Sequence, residues 1–353
     1  MQRAIAGEAP FLERLALHWC NHFTVSAFSY VAYFSGPMER EAIRPHMLGN
    51  FGDMLRAATL HPAMLYYLDN RNSIGPQSRM GGGGKRGLNE NLGRELLELH
   101  TLGVDGGYTQ DDVIEVAKAL TGWTIDVSEA PNHSGRRLIF DARKHEPGER
   151  TILGKRYADS GERQIPEVLH DLARHPSTAR HVTRRLARHF VGVEPPAELQ
   201  QQLAAVFLSS EGDLGAVTAA LIASPLAWVE TPRKIRPPIE FMFAAGRLFG
   251  RPPAPPDPLQ ALQAMGQPYC QPATPAGWAE EDNAWAAPDA LKTRLDWSVR
   301  LSKQFGNEFD ARELATIAFG DAVSNETTQA LRRAESREQA LTLLLLSPEF
   351  QRR

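Results

Sequence analysis

His18 and His22 stand four residues apart, so on a helix both imidazoles leave from one face and can hold a metal ion together. Trp19, Cys20 and Asn21 lie between them, which excludes the His-Glu-x-x-His pattern and its local general base. A second set sits on the segment 89–102, where Asn91, Glu95 and Glu98 share one side at i, i+4 and i+7, with Arg94 beside them. Glu95, Glu98 and Arg94 are therefore the candidate catalytic groups, two carboxylates for acid and base work and a cation next to them. His18 and His22 facing Glu95 would make a mixed imidazole and carboxylate ligand set, the kind that suits a divalent zinc, iron or manganese ion. The plainer reading puts both histidines on the border of the Trp19 stripe, bonded to backbone or carboxylate, and joins Arg94 to Glu98 in a surface pair.

Other histidines and cations have weaker claims. His61 and His175 each precede a proline at a helix start and read as caps. His145, in Lys144-His-Glu-Pro-Gly148, reads as a residue of an exposed loop. Arg180, Arg184 and Arg188 form one i, i+4 ladder, and His181, Arg185 and His189 form another beside it. Both read as a solvated helix face, the alternative being a grip on phosphate or sulfate groups of an acidic polymer. Aromatic interleaving is missing there and the net charge is −3, so nucleic acid is not an expected partner. Gly81-Gly-Gly-Gly-Lys85 fails as a phosphate loop, because Arg86 replaces the required Ser or Thr. Asp69 to Gly75 fails as a calcium loop, and no Gly-x-Ser-x-Gly elbow is present.

These groups need a scaffold, and composition says which kind. In 353 residues, 42% hydrophobic and 23% charged, the chain has the make-up of a soluble globular protein with one large or two medium domains. Two cysteines, Cys20 and Cys270, leave room for at most one disulfide. The opening residues lack the cationic lead and apolar run of an export signal, and the longest apolar run, Leu341 to Leu346, is too short to span a bilayer.

Apolar spacing is helical nearly throughout, so the expected fold is mainly α, a multi-helix globular domain with a small irregular or β-hairpin insertion between Trp123 and Tyr157. Helices are expected over 11–23, with Leu12, Leu15 and Trp19 inward, over 49–58, over 62–69 and over 89–102, where Leu92, Leu96 and Leu99 stack. Thr109 to Asp112 resembles a capping box and opens a helix that runs to Leu120. Asp69 to Gly87, with the glycine run 81–84, predicts a mobile loop. Two blocks are expected, 1–160 with the Gly-rich loop and 161–353 with a Pro-rich linker near 251–258.

Several ordered stretches together resemble the bacterial family called domain of unknown function 1800. They are His61 to Asn70, Leu88 to Gly103, Tyr108 to Val113 and Ala119 to Trp123, then Lys234 to Phe241, Met265 to Gln267, Pro275 to Trp278 and Leu346 to Phe350. Members usually carry further helical sequence, often behind an export signal, before the segment matching Trp19 to Phe23, and this chain lacks that region. The resemblance implies an exported or periplasmic setting. It also implies a neighbour, since members are often encoded beside a second exported family similar to the alkaline phosphatase and sulfatase superfamily. On that basis the expected function is binding of a partner protein or polymer in an envelope-associated system. The alternative is a metal-dependent hydrolase or oxidase using His18, His22 and Glu95.

Overall fold

Proline and short polar caps mark most helix starts in this chain. A computed structural model describes residues 2–82, 87–126, 137–228, 233–252 and 258–353. The first helices are α1 (Gln2–Ala6), α2 (Pro10–His22), α3 (Ala32–Met38), α4 (Phe51–Thr59), α5 (Pro62–Tyr67), α6 (Asn91–Glu95) and α7 (Gln110–Leu120). The two hairpins follow, β1 (Trp123–Ile125) with β2 (Leu138–Phe140) and β3 (Arg150–Ile152) with β4 (Lys155–Tyr157). Then come α8 (Gln164–Ala173), α9 (Pro176–Phe190), α10 (Ala197–Ser209), α11 (Leu214–Ala223), α12 (Pro238–Leu248) and α13 (Pro258–Ala264). Helices α14 (Pro288–Phe305), α15 (Ala311–Phe319), α16 (Asn325–Arg333), α17 (Arg337–Leu346) and α18 (Pro348–Gln351) complete a mainly α fold.

Local chemistry accounts for the boundaries. Proline occupies the first position of α2, α5, α9, α12, α14 and α18, where its missing N–H costs nothing. His61 and His175 cap α5 and α9, each Nδ1 accepting from a backbone N–H at 3.1 Å. Thr109 and Asp112 close the capping box reciprocally at the start of α7. The β3–β4 hairpin turns on Leu153 and Gly154, both at positive φ, the requirement of a two-residue turn that follows the strand twist. Of the expected mobile loop, Gly83 to Arg86 lie outside the described residues, as does most of the Pro-rich stretch near 251–258.

Residues 89–102 depart from the expected helix in an informative way. After Glu95 the backbone widens to π geometry over Leu96–Thr101, and Thr101 Oγ1 donates to the carbonyl of Leu96 at 2.6 Å. A π segment turns fewer degrees per residue, so the inward face shifts along the sequence. Leu97, His100 and Thr101 are buried, and Leu99, expected on the stripe, is only half-buried. A second π segment, Glu39–Ile43, follows α3. Such segments are rare and recur at functional sites.

The buried apolar residues form two clusters. One runs from Leu15 to Leu221, and the other is built from α12 to α18 between Phe241 and Phe350. Trp19, Phe23, Phe51 and Phe207 make a continuous aromatic file in the first, with ring centroids 5.6–6.5 Å apart. Each such ring removes about 1.5–3 kcal/mol worth of apolar surface from water, which fixes α2 against α4 and α10. The seam between the clusters is polar, and α2 and α9 border it.

Candidate metal centre

The helix α2 presents Leu15 and Trp19 to the first core, and His18 and His22 flank that stripe, both buried. Crossing it is α9, whose Val182 and Leu186 are buried and whose His189 falls on the same side at i+3 from Leu186. Glu280 arrives on the segment between α13 and α14. The chain there is held by Asn21, whose side chain donates to the Trp278 carbonyl at 3.0 Å and accepts from the Trp278 N–H at 2.6 Å.

These elements bring His18, His189 and Glu280 together. One donor atom from each lies within 4.8 Å of the other two. Two ligands on one ion with bonds near 2.1 Å stand at most about 4.2 Å apart, so a group lying within 4.8 Å is close to the spacing that a shared metal requires. His18 Nε2 and His189 Nε2 have no hydrogen-bond partner, and His189 Nδ1 donates to Glu280 Oε1 at 3.1 Å. The remaining oxygen of Glu280 accepts from the fully buried Lys234 ammonium, which also donates to the Arg188 carbonyl at 2.6 Å. Behind His189 stands Glu240, 4.0 Å from Nε2, itself gripped by Arg353 at 2.7 Å and 2.9 Å.

Electrostatics follow from burial and these pairings. Burial drives the pKa of His18 well below its ordinary value, with the His189 ring adding to it, so His18 is neutral and offers a lone pair. Burial lowers His189 too, against the pull of Glu280. For Glu280 burial alone would raise the pKa, but His189 and Lys234 outweigh it and hold the carboxyl well below the usual range. Glu240 is lowered in the same way, burial being overcome first by Arg353 and then by Arg14.

The histidines do not end at the centre. Ring centroids run from His189 to His18 at 5.2 Å, from His18 to His22 at 6.4 Å, and from His22 to His100 and His181 at 6.2 Å and 6.1 Å. His22 Nε2 donates to the His100 carbonyl at 3.0 Å, and His181 Nε2 donates to the Leu99 carbonyl at 2.9 Å. His22 Nδ1 and His100 Nδ1 have no partner. Burial first, then the nearby Arg185 or its neighbours, brings His100 down to about 3, and burial brings His181 down to about 4.

The groups expected from spacing distribute as follows. His18 is in the three-residue group, whereas His22 borders it and Glu95 is not a member. Burial and then Glu98 raise the Glu95 pKa, and burial and then Glu95 raise that of Tyr67. Glu98 accepts from the Tyr108 hydroxyl at 3.2 Å, and Arg94 pairs with Glu90 and Gln110 instead of Glu98. The second ladder of α9 is not solvated. His189 is buried against α2, and His181 and the half-buried Arg185 also face inward, because α9 packs across the end of α2. His145 is buried as well, its Nδ1 donating to the Thr121 carbonyl at 2.8 Å, since the loop folds back over the end of α7. Spacing missed His189 and Glu280. His189 had a signal, its register with Val182 and Leu186, and Glu280 had none.

A cleft of about 170 Å³ opens onto this centre. His189, Glu240 and Glu280 lie on its wall, together with the apolar Phe23, Met38, Phe243 and Trp278 and both cysteines. Glu39 of the second π segment lines it too. Fold and centre together define a mainly α protein with a buried histidine and carboxylate cluster where its two cores meet. Residues 1–352 match the family described as protein of unknown function (DUF1800), and the chain belongs to that family. No curated protein and no solved structure matches it. Among the described residues no helix is long and apolar enough to cross a membrane.

Proposed function

We propose that this chain is a metal-dependent enzyme whose ion is held by His18, His189 and Glu280 at the wall of the cleft. The observation that carries the reading is the convergence of those three donors within 4.8 Å from three separate elements, with an unpaired Nε2 on the buried, neutral His18. Buried polar atoms without partners are uncommon and call for a water or an ion. Two imidazoles and one carboxylate suit zinc, iron or manganese and leave coordination positions free toward the cleft. A bound ion of this kind would supply Lewis acidity for a hydrolase, and iron or manganese would also supply the electron transfer that an oxidase requires.

In this reading the outer groups orient the ligands. Lys234 takes one oxygen of Glu280 and aims the other at the centre. With Nδ1 committed to an ion, His189 Nε2 carries the proton and faces Glu240, 4.0 Å away, as its acceptor. Arg94, Glu95 and Glu98 have a packing role on α6 and the π segment after it. Export and a partner encoded nearby enter the reading through the family resemblance alone.

The test is elemental analysis by plasma mass spectrometry of protein purified without chelator, comparing wild type with His18→Ala, His189→Ala, Glu280→Gln, His22→Ala and Glu95→Ala. The reading expects near-stoichiometric zinc, iron or manganese, lost in the first three variants and kept in the last two. Metal lost from Glu95→Ala and kept in His189→Ala would move the centre to the set that spacing suggests. No metal in folded wild type, even after incubation with each ion, would end the enzyme reading.

A further inference from the structure

We infer that a second cavity, walled by Arg14, Arg236, Arg247 and Arg353, binds a tetrahedral oxyanion of the phosphate or sulfate class. The cavity measures about 140 Å³ and lies between α2, α12 and the end of the chain. Four guanidiniums there meet two carboxylates, Glu13 and Glu240, and neither of those balances the excess. Glu13 is already matched from outside the cavity by Arg44, at 2.9 Å and 2.7 Å. Glu240 is taken by Arg353, leaving Arg14 at 3.6 Å as a loose second partner.

Arg247 and Arg236 have only neutral partners. Arg247 donates to the carbonyls of Ala4, Ile5 and Gly7, and Arg236 donates to the carbonyl of Phe350. Arg14 stacks its guanidinium 5.1 Å from the Phe190 ring centre, Nε lacks a hydrogen-bond partner, and a third of the side chain stays open. Burial, with repulsion from Arg353 adding to it, draws both Arg14 and Arg236 down to about 10. Cations crowded this closely in a partly buried space are short of negative charge, and planar guanidinium forks match the oxygens of phosphate and sulfate.

The size of the cavity sets the form of the ligand. A bare phosphate leaves much of about 140 Å³ unfilled, so the favoured ligand is an ester whose oxyanion meets the arginines and whose carrier fills the rest. Leu17, Phe243 and Glu240 line both this cavity and the apolar cleft, so the two lie side by side. Anion binding itself does not rest on the metal reading.

The experiment is isothermal titration of full-length protein, treated with chelator and dialysed, with inorganic phosphate, with sulfate and with glycerol phosphate, at constant ionic strength against chloride. Saturable one-site binding of phosphate or sulfate that weakens about tenfold or more in Arg14→Gln and in Arg236→Gln, and not in the exposed control Arg184→Gln, is the expected result. Tighter binding of glycerol phosphate marks an esterified ligand, and equal binding marks the free ion. Absence of saturable binding, or affinity unchanged in Arg14→Gln, overturns the inference. Arg14 is partly open and tolerates substitution better than Arg236, so that variant decides the matter if Arg236→Gln unfolds. Chelation keeps this outcome separate from the metal centre, so either can fail alone.

Discussion

Acidifying the protein from pH 7.5 to pH 5.5 removes a large part of its stability through the histidines alone. His100 and His181 have folded values of about 3 and 4 against an ordinary 6.5, with burial as the first cause in each. A depressed folded pKa means that stability is fully present above 6.5 and is lost as pH falls, because the unfolded chain takes up a proton that the folded one refuses. At pH 5.5 an unfolded histidine is about nine-tenths protonated, which costs the folded state about 1.4 kcal/mol per buried ring, against about 0.1 kcal/mol at pH 7.5. His100 and His181 together therefore cost about 2.7 kcal/mol. His18 and His22, held well below their ordinary value by burial, act in the same direction. Even the first pair's about 2.7 kcal/mol is a large fraction of the roughly 5–15 kcal/mol that holds a domain folded. Glu240 and Glu280 are depressed too, but their contribution is kept above pH 4.5 and does not enter this window. The assay is urea unfolding followed by circular dichroism at both pH values with chelator present, on wild type and His100→Leu. The variant should lose about 1.4 kcal/mol less on acidification than wild type. A wild-type change under about 1 kcal/mol would show that these rings are solvated or already paired, and would refute the burial argument.

Two further substitutions test the seam. Lys234→Met strands the Glu280 carboxylate beside His189 and should cost about 3–5 kcal/mol in urea unfolding, as removal of one partner of a buried pair does, with added zinc or manganese restoring part of the loss. Unchanged stability would mean that Glu280 is not dependent on the ammonium. Gly277→Ala places a Cβ 2.5 Å from Asn21 Oδ1 and 2.6 Å from Thr24 Oγ1, at a φ of +84° that favours glycine. It should cost about 2 kcal/mol or more and detach the Trp278 segment, read as a red shift of tryptophan emission. A variant as stable as wild type would place that loop elsewhere.

Much of the fold was legible because its signals are local. The Thr109 box, the proline starts of α5 and α9 and the histidine caps each depend on a few adjacent residues, and each stands where the sequence reading placed it. What spacing could not show is the widening after Glu95. Leu92 and Leu96 are buried as an ideal helix predicts, but the π segment, packed on α9, turns Leu97 and His100 inward in place of Leu99. A period is an average over ideal turns, and a π segment breaks the average without changing the residue types.

The centre shows the same divide between local and long-range information. His18 was legible as half of an i, i+4 pair, a property of a single helix. Its companions come from α9 and from a loop 262 residues further along the chain, and no spacing rule connects them. His189 looked like part of a charged ladder because Arg180, Arg184, Arg185 and Arg188 surround it in sequence. Yet Val182 and Leu186 set the inward side of α9, and His189 is in register with them. Charge density along a sequence reports what a helix carries, whereas the apolar stripe reports which way it faces. A polar residue in phase with the stripe is therefore carried into the core whatever its neighbours in sequence are. There it must find a partner, and the partner of His189 is Glu280.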